Sequence, residues 1–184
     1  MYSVSHHVNS IVGRLSVRLL CANINMQIQP FETSHLDAVV QLSLRAWASV
    51  FSSTQSVMNP DAYQAFYPDG WRKSQQKVVE DACAAEDIQV WVATEDNLTI
   101  GFVAVKLHSE NKMGEIYMIA VDPNHQRRGV ATALTDFALS WMKNAGMSVA
   151  MVETGGDVGH QPARRTYEKS GFDLFPIARY FKKL

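Results

Sequence analysis

The run from Glu115 to Leu134 constrains the fold more than any other part of this 184-residue chain. Its first residues are mostly β-branched, aromatic and other apolar side chains, which predict a strand, and residues 122–124 predict the turn that ends it. From Gly129 onward apolar residues recur at helical spacing. The sequence therefore predicts a strand that leads directly into a helix.

The turn between these two elements has the chemistry of an anion site. The first N–H groups of a helix lack intrahelical partners, and the helix dipole adds partial positive charge there. Gln126, Arg127 and Arg128 add an amide and two cations, and Gly129 lets a ligand approach the backbone. Pyrophosphate fits such a site. A purely structural turn would explain the glycine but not the basic pair.

Composition favours a single domain that acts on small molecules. A chain of 184 residues that is 47% hydrophobic can bury one substantial core. Its formal net charge of −1 provides no global field for nucleic acid. No apolar run approaches the roughly 20 residues of a membrane helix. We therefore expect a soluble, cytoplasmic protein that binds neither nucleic acid nor membrane.

Cysteine and histidine spacing indicates no metal site. Cys21 and Cys83 lie far apart and outside any C-x-x-C pattern, and the histidines are scattered apart from an adjacent pair near the start. The first 25 residues contain no acid, and we expect residues 1–25 to be a poorly ordered N-terminal extension. The domain is then expected to span residues 26–184 and to open with an edge strand at Met26.

The remaining elements follow from periodicity and breaker residues. A three-stranded meander is expected to precede the strand–helix–strand unit, whose two strands are parallel if the crossover is right-handed. The predicted elements are a helix from Thr33 or Ser34 to about Phe51, a polar loop containing Asn59-Pro60, a helix over 71–85, strands over 88–94, 98–108 and 115–121, a helix over 129–145, a strand over 149–152, a helix over 162–170, and closing strands over 172–175 and 178–181.

Two motifs resemble those of the GNAT N-acetyltransferase superfamily. The spacing Q-x-x-G-x-A after a strand that ends in V-D-P is similar to the family's acetyl-CoA signature, and the segment 163–172, with Tyr167 before E-K-x-G-F, is similar to its second recurrent pattern. The resemblance covers Met26 to the C-terminus. It implies an α/β (mixed α+β) fold in which helices flank a central, twisted, mostly antiparallel mixed sheet with a splayed parallel pair.

The resemblance also implies an acyltransferase that moves an acetyl group from acetyl-CoA directly to a primary amine of a small molecule. A protein N-terminus or lysine is the alternative acceptor. A non-catalytic acyl-CoA binder, serving as sensor or scaffold, is the alternative of a different class. Relatives are often dimers, so a homodimer is expected by analogy.

In this family the coenzyme lies between the splayed strands. His160 departs from the pattern because relatives often carry asparagine there. An imidazole at this position either binds coenzyme or acts as a base, and Asp157 either orients it or holds the glycine turn. The residues that the resemblance assigns to acetyl-CoA are Ile119, Ala120, Val121, Gln126, Arg127, Arg128, Gly129, Val130, Ala131, Thr132, His160 and Ala163.

Tyr167 and Glu115 are the candidate catalytic residues. A tyrosine stays protonated at neutral pH and can give a proton to the leaving thiolate. Glu115 matches the glutamate that histone-acetylating relatives use as general base, although a solvated glutamate at a strand end is an equal reading. Trp47, Phe51, Tyr63 and Tyr67 are the candidate wall of the acceptor site, with ordinary core packing as the alternative.

Overall fold

The computed structural model describes residues 17–21 and 24–184. Most of the predicted extension 1–25 therefore lies outside the described residues, and its described part comprises the strand Val17–Cys21 and the start of the strand Ile24–Pro30. These two strands pair with each other, so the prediction that the strand at Met26 is an edge strand is wrong. The strands are β1 Val17–Cys21, β2 Ile24–Pro30, β3 Ile88–Glu95, β4 Leu98–His108, β5 Met113–Val121 and β6 Val149–Val152, and the helices are α1 Leu36–Ala46, α2 Ala48–Val57, α3 Pro60–Phe66, α4 Trp71–Ala84, α5 Val130–Asn144 and α6 Gln161–Lys169, with 3-10 turns at Thr33–His35, Pro123–His125 and Val158–His160.

The described strands form one mixed sheet in the order β1-β2-β3-β4-β5-β6. Every neighbouring pair is antiparallel except β5 and β6, which confirms the expected mixed sheet with one parallel pair. The strands predicted over 172–175 and 178–181 are wrong, because residues 172–184 contain no strand. Their apolar side chains lie largely exposed, with no neighbouring strand to pair with them.

Helices cover both faces of the sheet. Helix α5 packs on one face, whereas α1 and α4 pack on the other. Successive residues of a strand point to opposite faces, so β4 contributes Val103 to the first core and Phe102 to the second. The buried side chains on the α5 face are Met26, Ile28, Trp91, Ala93, Ile100, Val103, Val105, Ile116, Val121, Val130, Leu134, Ala138, Trp141 and Met142. Those on the α1 face are Val39, Val40, Leu42, Leu44, Val79, Val92, Phe102, Ala104 and Ala120.

A bulge in β5 separates its two halves. Ala104 of β4 pairs with Met118, but Val105 pairs with Ile116, so Tyr117 is an extra residue in β5. A bulge of this kind bends its strand and increases the local twist. The parallel pairs with β6 end at Ile116, directly before the bulge. The bend therefore coincides with the point where β5 and β6 separate.

The segment before α4 differs from the prediction in two respects. The single helix expected from Thr33 to about Phe51 is divided at Trp47, whose φ of −91° and ψ of 0° lie outside the helical region. The loop expected around Asn59 is instead the start of α3. The Asn59 side chain accepts hydrogen bonds from the N–H groups of Asp61 (3.0 Å) and Ala62 (3.2 Å) and so caps this helix.

Candidate active site

A cleft opens where β5 and β6 stop pairing. The last parallel pair joins Ile116 to Val152, and β5 then continues to Val121. Beyond Ile116 the side of β5 that faces β6 has no strand partner among the described residues, while its other side stays paired with β4. The backbone of Ile119, Ala120 and Val121 lies along this free edge, which is the edge predicted to bind pantetheine.

The turn that follows β5 contains two residues with left-handed backbone. Arg127 has a φ of 59°, and Gly129 has a φ of 85° and a ψ of −2°. Gly129 is followed by Val130, the first right-handed residue of α5, and such alternation turns successive N–H groups to one side and forms an anion-binding nest. Gly129 is the N-cap of α5, and the first helical bond runs from Ala133 N to Gly129 O (2.9 Å). The N–H groups of Val130–Thr132 therefore lack helical partners.

The side chains of this turn divide into two groups. Gln126 Nε2 donates to Val121 O (3.1 Å), and Arg128 Nη2 donates to Glu95 Oε1 (2.8 Å), so both brace the turn against the sheet. The exposed Arg127 forms no ion pair with any other described residue. No atom lies within 4 Å of a Cβ placed on Gly129, so the backbone there is open to a ligand. The free N–H groups and Arg127 fit the charge of a pyrophosphate.

A buried carboxylate holds the same turn from the protein side. Asp122 Oδ1 accepts from Asn124 N (2.9 Å), and Asp122 Oδ2 accepts from Arg45 Nε (3.1 Å) and Nη2 (2.5 Å). Burial acts to raise the pKa of Asp122, but the hydrogen bonds from Arg45 and Asn124 and the charge of Arg45 outweigh it and lower the pKa. Sequence reasoning missed Arg45, because this ion pair joins positions 77 residues apart.

Tyr167 lies on the buried side of α6. Its ring packs edge-on against Phe172, with ring centroids 5.9 Å apart. Burial raises the pKa of its hydroxyl to about 12, so the group stays protonated across the physiological range. The hydroxyl makes no hydrogen bond within the part of the chain that the structure describes. It is therefore available to donate to a ligand. Ala163, one turn earlier on α6, is half-buried.

Glu115 lies in the half of β5 that is still paired with β6, opposite Met151. Its neighbours Gly114 and Ile116 contact the α5 side, so Glu115 points to the α1 face of the sheet. Its Oε2 lies 2.8 Å from His108 Nε2, and about a fifth of its side chain is exposed (20%). The candidate base thus has a histidine partner, which sequence reasoning did not identify.

A second polar cluster stands beyond the end of β6, at the start of α6. His160 Nδ1 is hydrogen-bonded to Asp157 Oδ1. Ser53 Oγ, on α2, donates to Asp157 Oδ2 (2.5 Å) and accepts from Gly159 N (3.0 Å). Burial acts to raise the pKa of Asp157, but hydrogen bonds from Ser53 and His160 outweigh it and lower the pKa. Asp157 therefore both orients His160 and holds the glycine turn. Ser53 was not predicted.

Three of the four predicted acceptor-site residues lie together. Phe51 stacks on Trp71, with ring centroids 4.4 Å apart, and meets the edge of Tyr67 at 5.4 Å. Tyr67 in turn packs on Tyr63 at 4.8 Å. Trp47 lies apart and packs against the sheet. Phe51 and Tyr63 are buried, and the Tyr63 hydroxyl has no hydrogen-bond partner among the described residues.

The C-terminal segment passes between the end of β6 and α3. Arg179 pairs with Glu153, directly after β6, and Phe181 packs edge-on against Phe66 of α3 with ring centroids 5.1 Å apart. Other apolar side chains of the segment lie outside these contacts and are largely exposed, among them Leu174, Phe175, Ile177 and Tyr180.

The described residues contain no group of three or more histidine, cysteine, aspartate or glutamate side chains that could hold a metal ion. None of their helices is long and apolar enough to cross a membrane.

Residues 58–172 match the acetyltransferase (GNAT) family. The mycothiol acetyltransferase of Rhodococcus jostii is 25% identical over 143 residues, which are 73% of this chain and 46% of the relative. That of Actinosynnema mirum is 32% identical over 136 residues, which are 74% of this chain and 40% of the relative. The chain thus spans less than half the length of either protein.

Solved structures with the same fold include enzymes with different acceptors in their names. AAC(6')-Iy, in complex with the bisubstrate analogue CoA-S-monomethyl-acetylneamine, has a TM-score of 0.59 and 19% identity, covering 86% of this chain and 98% of that one. The ribosomal-protein-S18-alanine N-acetyltransferase of Escherichia coli has a TM-score of 0.60 and 20% identity, covering 82% and 79%. Likeness at this identity establishes the fold.

Proposed function

Because the chain belongs to the GNAT acetyltransferase family, we propose that it transfers an acetyl group from acetyl-CoA directly to a primary amine of a small molecule. One observation carries the coenzyme half of this proposal: the nest at Arg127 and Gly129 stands at the end of the free edge of β5. An extended pantetheine can pair with that edge while its pyrophosphate reaches the N–H groups of Val130–Thr132. The predicted coenzyme contacts of Gln126, Arg128, His160 and Ala163 belong to the same proposal.

Direct transfer needs groups that move two protons. The amine nitrogen forms a bond to the thioester carbon, and the carbon–sulfur bond breaks. In our proposal the Tyr167 hydroxyl gives its proton to the departing sulfur. The backbone N–H groups within Ile119–Val121 that point away from β4 stabilise the carbonyl oxygen as it gains charge. Glu115 is the sequence-derived candidate for the second proton, which must leave the nitrogen.

The acceptor class rests on the aromatic cluster and on the relatives. Phe51 on α2, Tyr63 on α3 and Tyr67 directly after α3 pack together, and α2 contacts the turn that ends at His160. The half-buried Tyr67 is the member of this cluster that leaves part of its ring open to the body of an amine. Trp47 is the fourth proposed member. The mycothiol acetyltransferases and AAC(6')-Iy support a small-molecule acceptor, whereas the Escherichia coli enzyme keeps a protein N-terminus as the alternative.

Coenzyme binding is tested by thermal denaturation. Acetyl-CoA at 100 times its Kd stabilises a protein by about 2.7 kcal/mol, which raises Tm by several degrees for a chain of this size. A Tm that does not change at millimolar acetyl-CoA would contradict the proposed site. A rise in Tm without thiol release from any acceptor would instead support the alternative of a non-catalytic acyl-CoA sensor or scaffold.

Catalysis is tested by thiol release with a panel of amino acids, polyamines, aminoglycosides, arylalkylamines and peptides with free N-termini. We expect Tyr167→Phe to lower kcat by about 100-fold while the acetyl-CoA-induced rise in Tm stays the same, because only the proton donor is lost. Unchanged turnover in this variant would remove Tyr167 from the mechanism. Faster turnover with peptides than with any small amine would favour the protein acceptor.

Two further properties belong to the proposal. Acetyl-CoA is available in the cytoplasm, which we take as the compartment of the protein. Leu174, Phe175 and Tyr180 are exposed apolar side chains of the kind that a homodimer would bury. Light scattering after size exclusion should then give twice the mass of one chain, and the mass of a single chain at micromolar concentration would contradict the dimer.

A further inference from the structure

The hydrogen bonds of His160 fix the orientation of its imidazole ring in the way that a general base requires. Its Nδ1 is hydrogen-bonded to the carboxylate of Asp157, which is itself fixed by Ser53 Oγ and by Gly159 N (3.0 Å). A carboxylate accepts only, so Nδ1 carries the proton and the lone pair of a neutral imidazole resides on Nε2. Nε2 makes no hydrogen bond to another described residue. About a fifth of the side chain is exposed (22%), so a ligand can reach it.

The position of His160 relates it to both halves of the proposed reaction. The ring lies against Gly155, shortly after β6, because a Cβ on Gly155 would stand 2.5 Å from His160 Nδ1. Helix α2, which carries Phe51 of the proposed acceptor wall, packs against the 3-10 turn that ends at His160. His160 therefore lies between the end of β6 and the proposed acceptor site.

His160 is the N-cap of α6, and Tyr167, seven residues later, lies on the side of the helix nearest to it. They are separated by about two helical turns, or roughly 10 Å along the axis. Helical side chains lean toward the N-terminus, so the Tyr167 ring extends toward His160. A proton acceptor for nitrogen and a proton donor for sulfur then stand at neighbouring points of one cleft.

Glu115 is less suited to accept the proton from the amine nitrogen. It lies in the half of β5 where the sheet is still closed by β6, and His108 already occupies one of its oxygens. The Nε2 lone pair of His160 has no such competitor among the described residues. From these contacts we infer that His160 Nε2 is the general base of the proposed transferase, with Asp157 and Ser53 as its positioning residues. This inference rests on the proposed function.

The proton balance is as follows. The amine reacts in its neutral form, and the new carbon–nitrogen bond makes the nitrogen acidic. His160 Nε2 takes one proton from that nitrogen, and the carbon–sulfur bond breaks as Tyr167 gives its proton to sulfur. Solvent then returns a proton to the Tyr167 oxygen and removes one from His160. The charged groups that face the imidazole are Asp157, through Nδ1, and Arg164, whose Nη1 donates to Gly155 O (2.5 Å) and Asp157 O (2.8 Å).

The first test is independent of the acceptor. Two-bond 1H–15N spectra of protein labelled with 15N-histidine distinguish the two neutral imidazole tautomers. With coenzyme A bound, we expect one histidine in the Nδ1–H form, and its signal should be absent from His160→Asn. In Asp157→Asn it should shift toward the Nε2–H form, which a merely structural role of Asp157 would not predict. An Nε2–H tautomer of His160 in the wild-type protein would overturn the inference.

The second test uses hydroxylamine as a small acceptor, with the uncatalysed rate subtracted. Because the protonated acceptor cannot attack and would itself give the profile an acidic limb, kcat/KM is expressed per concentration of neutral hydroxylamine. We expect His160→Asn to lower kcat/KM by about 100-fold or more and to remove the acidic limb of its pH profile, because general bases contribute about 10²–10⁴-fold. Asparagine keeps an N–H donor but cannot titrate, so acetyl-CoA binding should change by less than about threefold. His35→Gln is the matched control, since that histidine stands in the turn before α1.

The outcomes separate the two proposals. If His160→Asn keeps the rate and the acidic limb, or if Glu115→Gln removes that limb instead, His160 is not the base and the acetyltransferase proposal stands. If the wild-type protein binds acetyl-CoA but acetylates neither hydroxylamine nor any amine of the panel, the proposed function itself fails. If Asp157→Asn and Ser53→Ala leave the tautomer and the pH profile unchanged, neither residue positions His160.

Discussion

Replacement of Gly129 by alanine isolates the contribution of the turn backbone, because the chain contains a matched control. Gly129 and Gly146 stand at the two ends of α5 and share a φ of 85°. At both positions nothing lies within 4 Å of an added Cβ. A non-glycine residue in the left-handed region costs roughly 1–2 kcal/mol. Without ligand, Gly129→Ala and Gly146→Ala should therefore lower the free energy of unfolding equally, and each should lower Tm by about 2–8 °C.

Acetyl-CoA should distinguish the two variants. A methyl group on Gly129 projects toward the open side of the nest, where the pyrophosphate is proposed to bind. Loss of one hydrogen bond to a charged group costs about 1.5–3 kcal/mol, which corresponds to at least a tenfold rise in Kd. At an acetyl-CoA concentration 100 times the wild-type Kd, the stabilisation by coenzyme should fall from about 2.7 to about 1.4 kcal/mol in Gly129→Ala. It should not change in Gly146→Ala.

The measurement is differential scanning fluorimetry with and without acetyl-CoA, supported by calorimetric titration. Equal losses of coenzyme affinity in the two variants would show that the effect is a general loss of stability. Full affinity in Gly129→Ala would show that the coenzyme does not approach this backbone. Either result would refute the assignment of the nest to pyrophosphate while leaving the fold unaffected.

Three further changes test the packing and charges around the site. Gly114→Ala places a Cβ 2.5 Å from Sδ of the buried Met142. Chemical denaturation should therefore show a free energy of unfolding that is lower by about 1–3 kcal/mol. If this clash is not the cause, the addition of Met142→Ala to the variant should not restore stability. Tyr63→Phe removes a buried hydroxyl without a partner among the described residues. Its free energy of unfolding should stay the same or rise, by no more than about 3 kcal/mol, and a lower value would reveal a missed hydrogen bond. The lowered pKa of Asp122 contributes stability that is fully present above the unfolded pKa of about 3.9 and is lost as the pH falls through the folded pKa. Tm measured between pH 3 and 7 should therefore decline less in Asp122→Asn than in the wild-type protein, and equal declines would exclude this contribution.

Elements with strong periodicity and clear breakers were predictable from the sequence. The predicted strand over 149–152 and helix over 71–85 match β6 and α4 to within one residue. The division at Trp47 was not predictable, because the helical pattern continues on both sides of it. The hydrogen bonds from Trp47 N to Ser43 O and from Phe51 N to Trp47 O (2.9 Å each) likewise continue across the division. One residue outside the helical region thus divides the helix without interrupting its apolar pattern. The closing strands failed for another reason, since an alternating pattern does not specify a partner strand.

The site was predictable only where its chemistry is local in the sequence. Gly129 and its first helical turn form one continuous segment, so the anion nest followed from a short run of residues. The contact of Ser53 with Asp157 joins positions 104 residues apart, and serines within a helix carry no signal of such a role. The ring orientation of His160 likewise depends on this distant contact, so the sequence left its role open.

The turn before α5 and the turn before α6 differ in the charges that they present. The turn before α5 presents unpaired N–H groups and Arg127, which in our proposal stabilise the negative charge of the coenzyme. The start of α6 also presents a helix N-terminus, but there the carboxylate of Asp157 accepts from Gly159 N (3.0 Å) and holds His160. Occupation of that N–H group by a side-chain carboxylate makes the second turn a poor site for another phosphate. His160 lies beside α2, where in our proposal it accepts a proton from the acceptor amine.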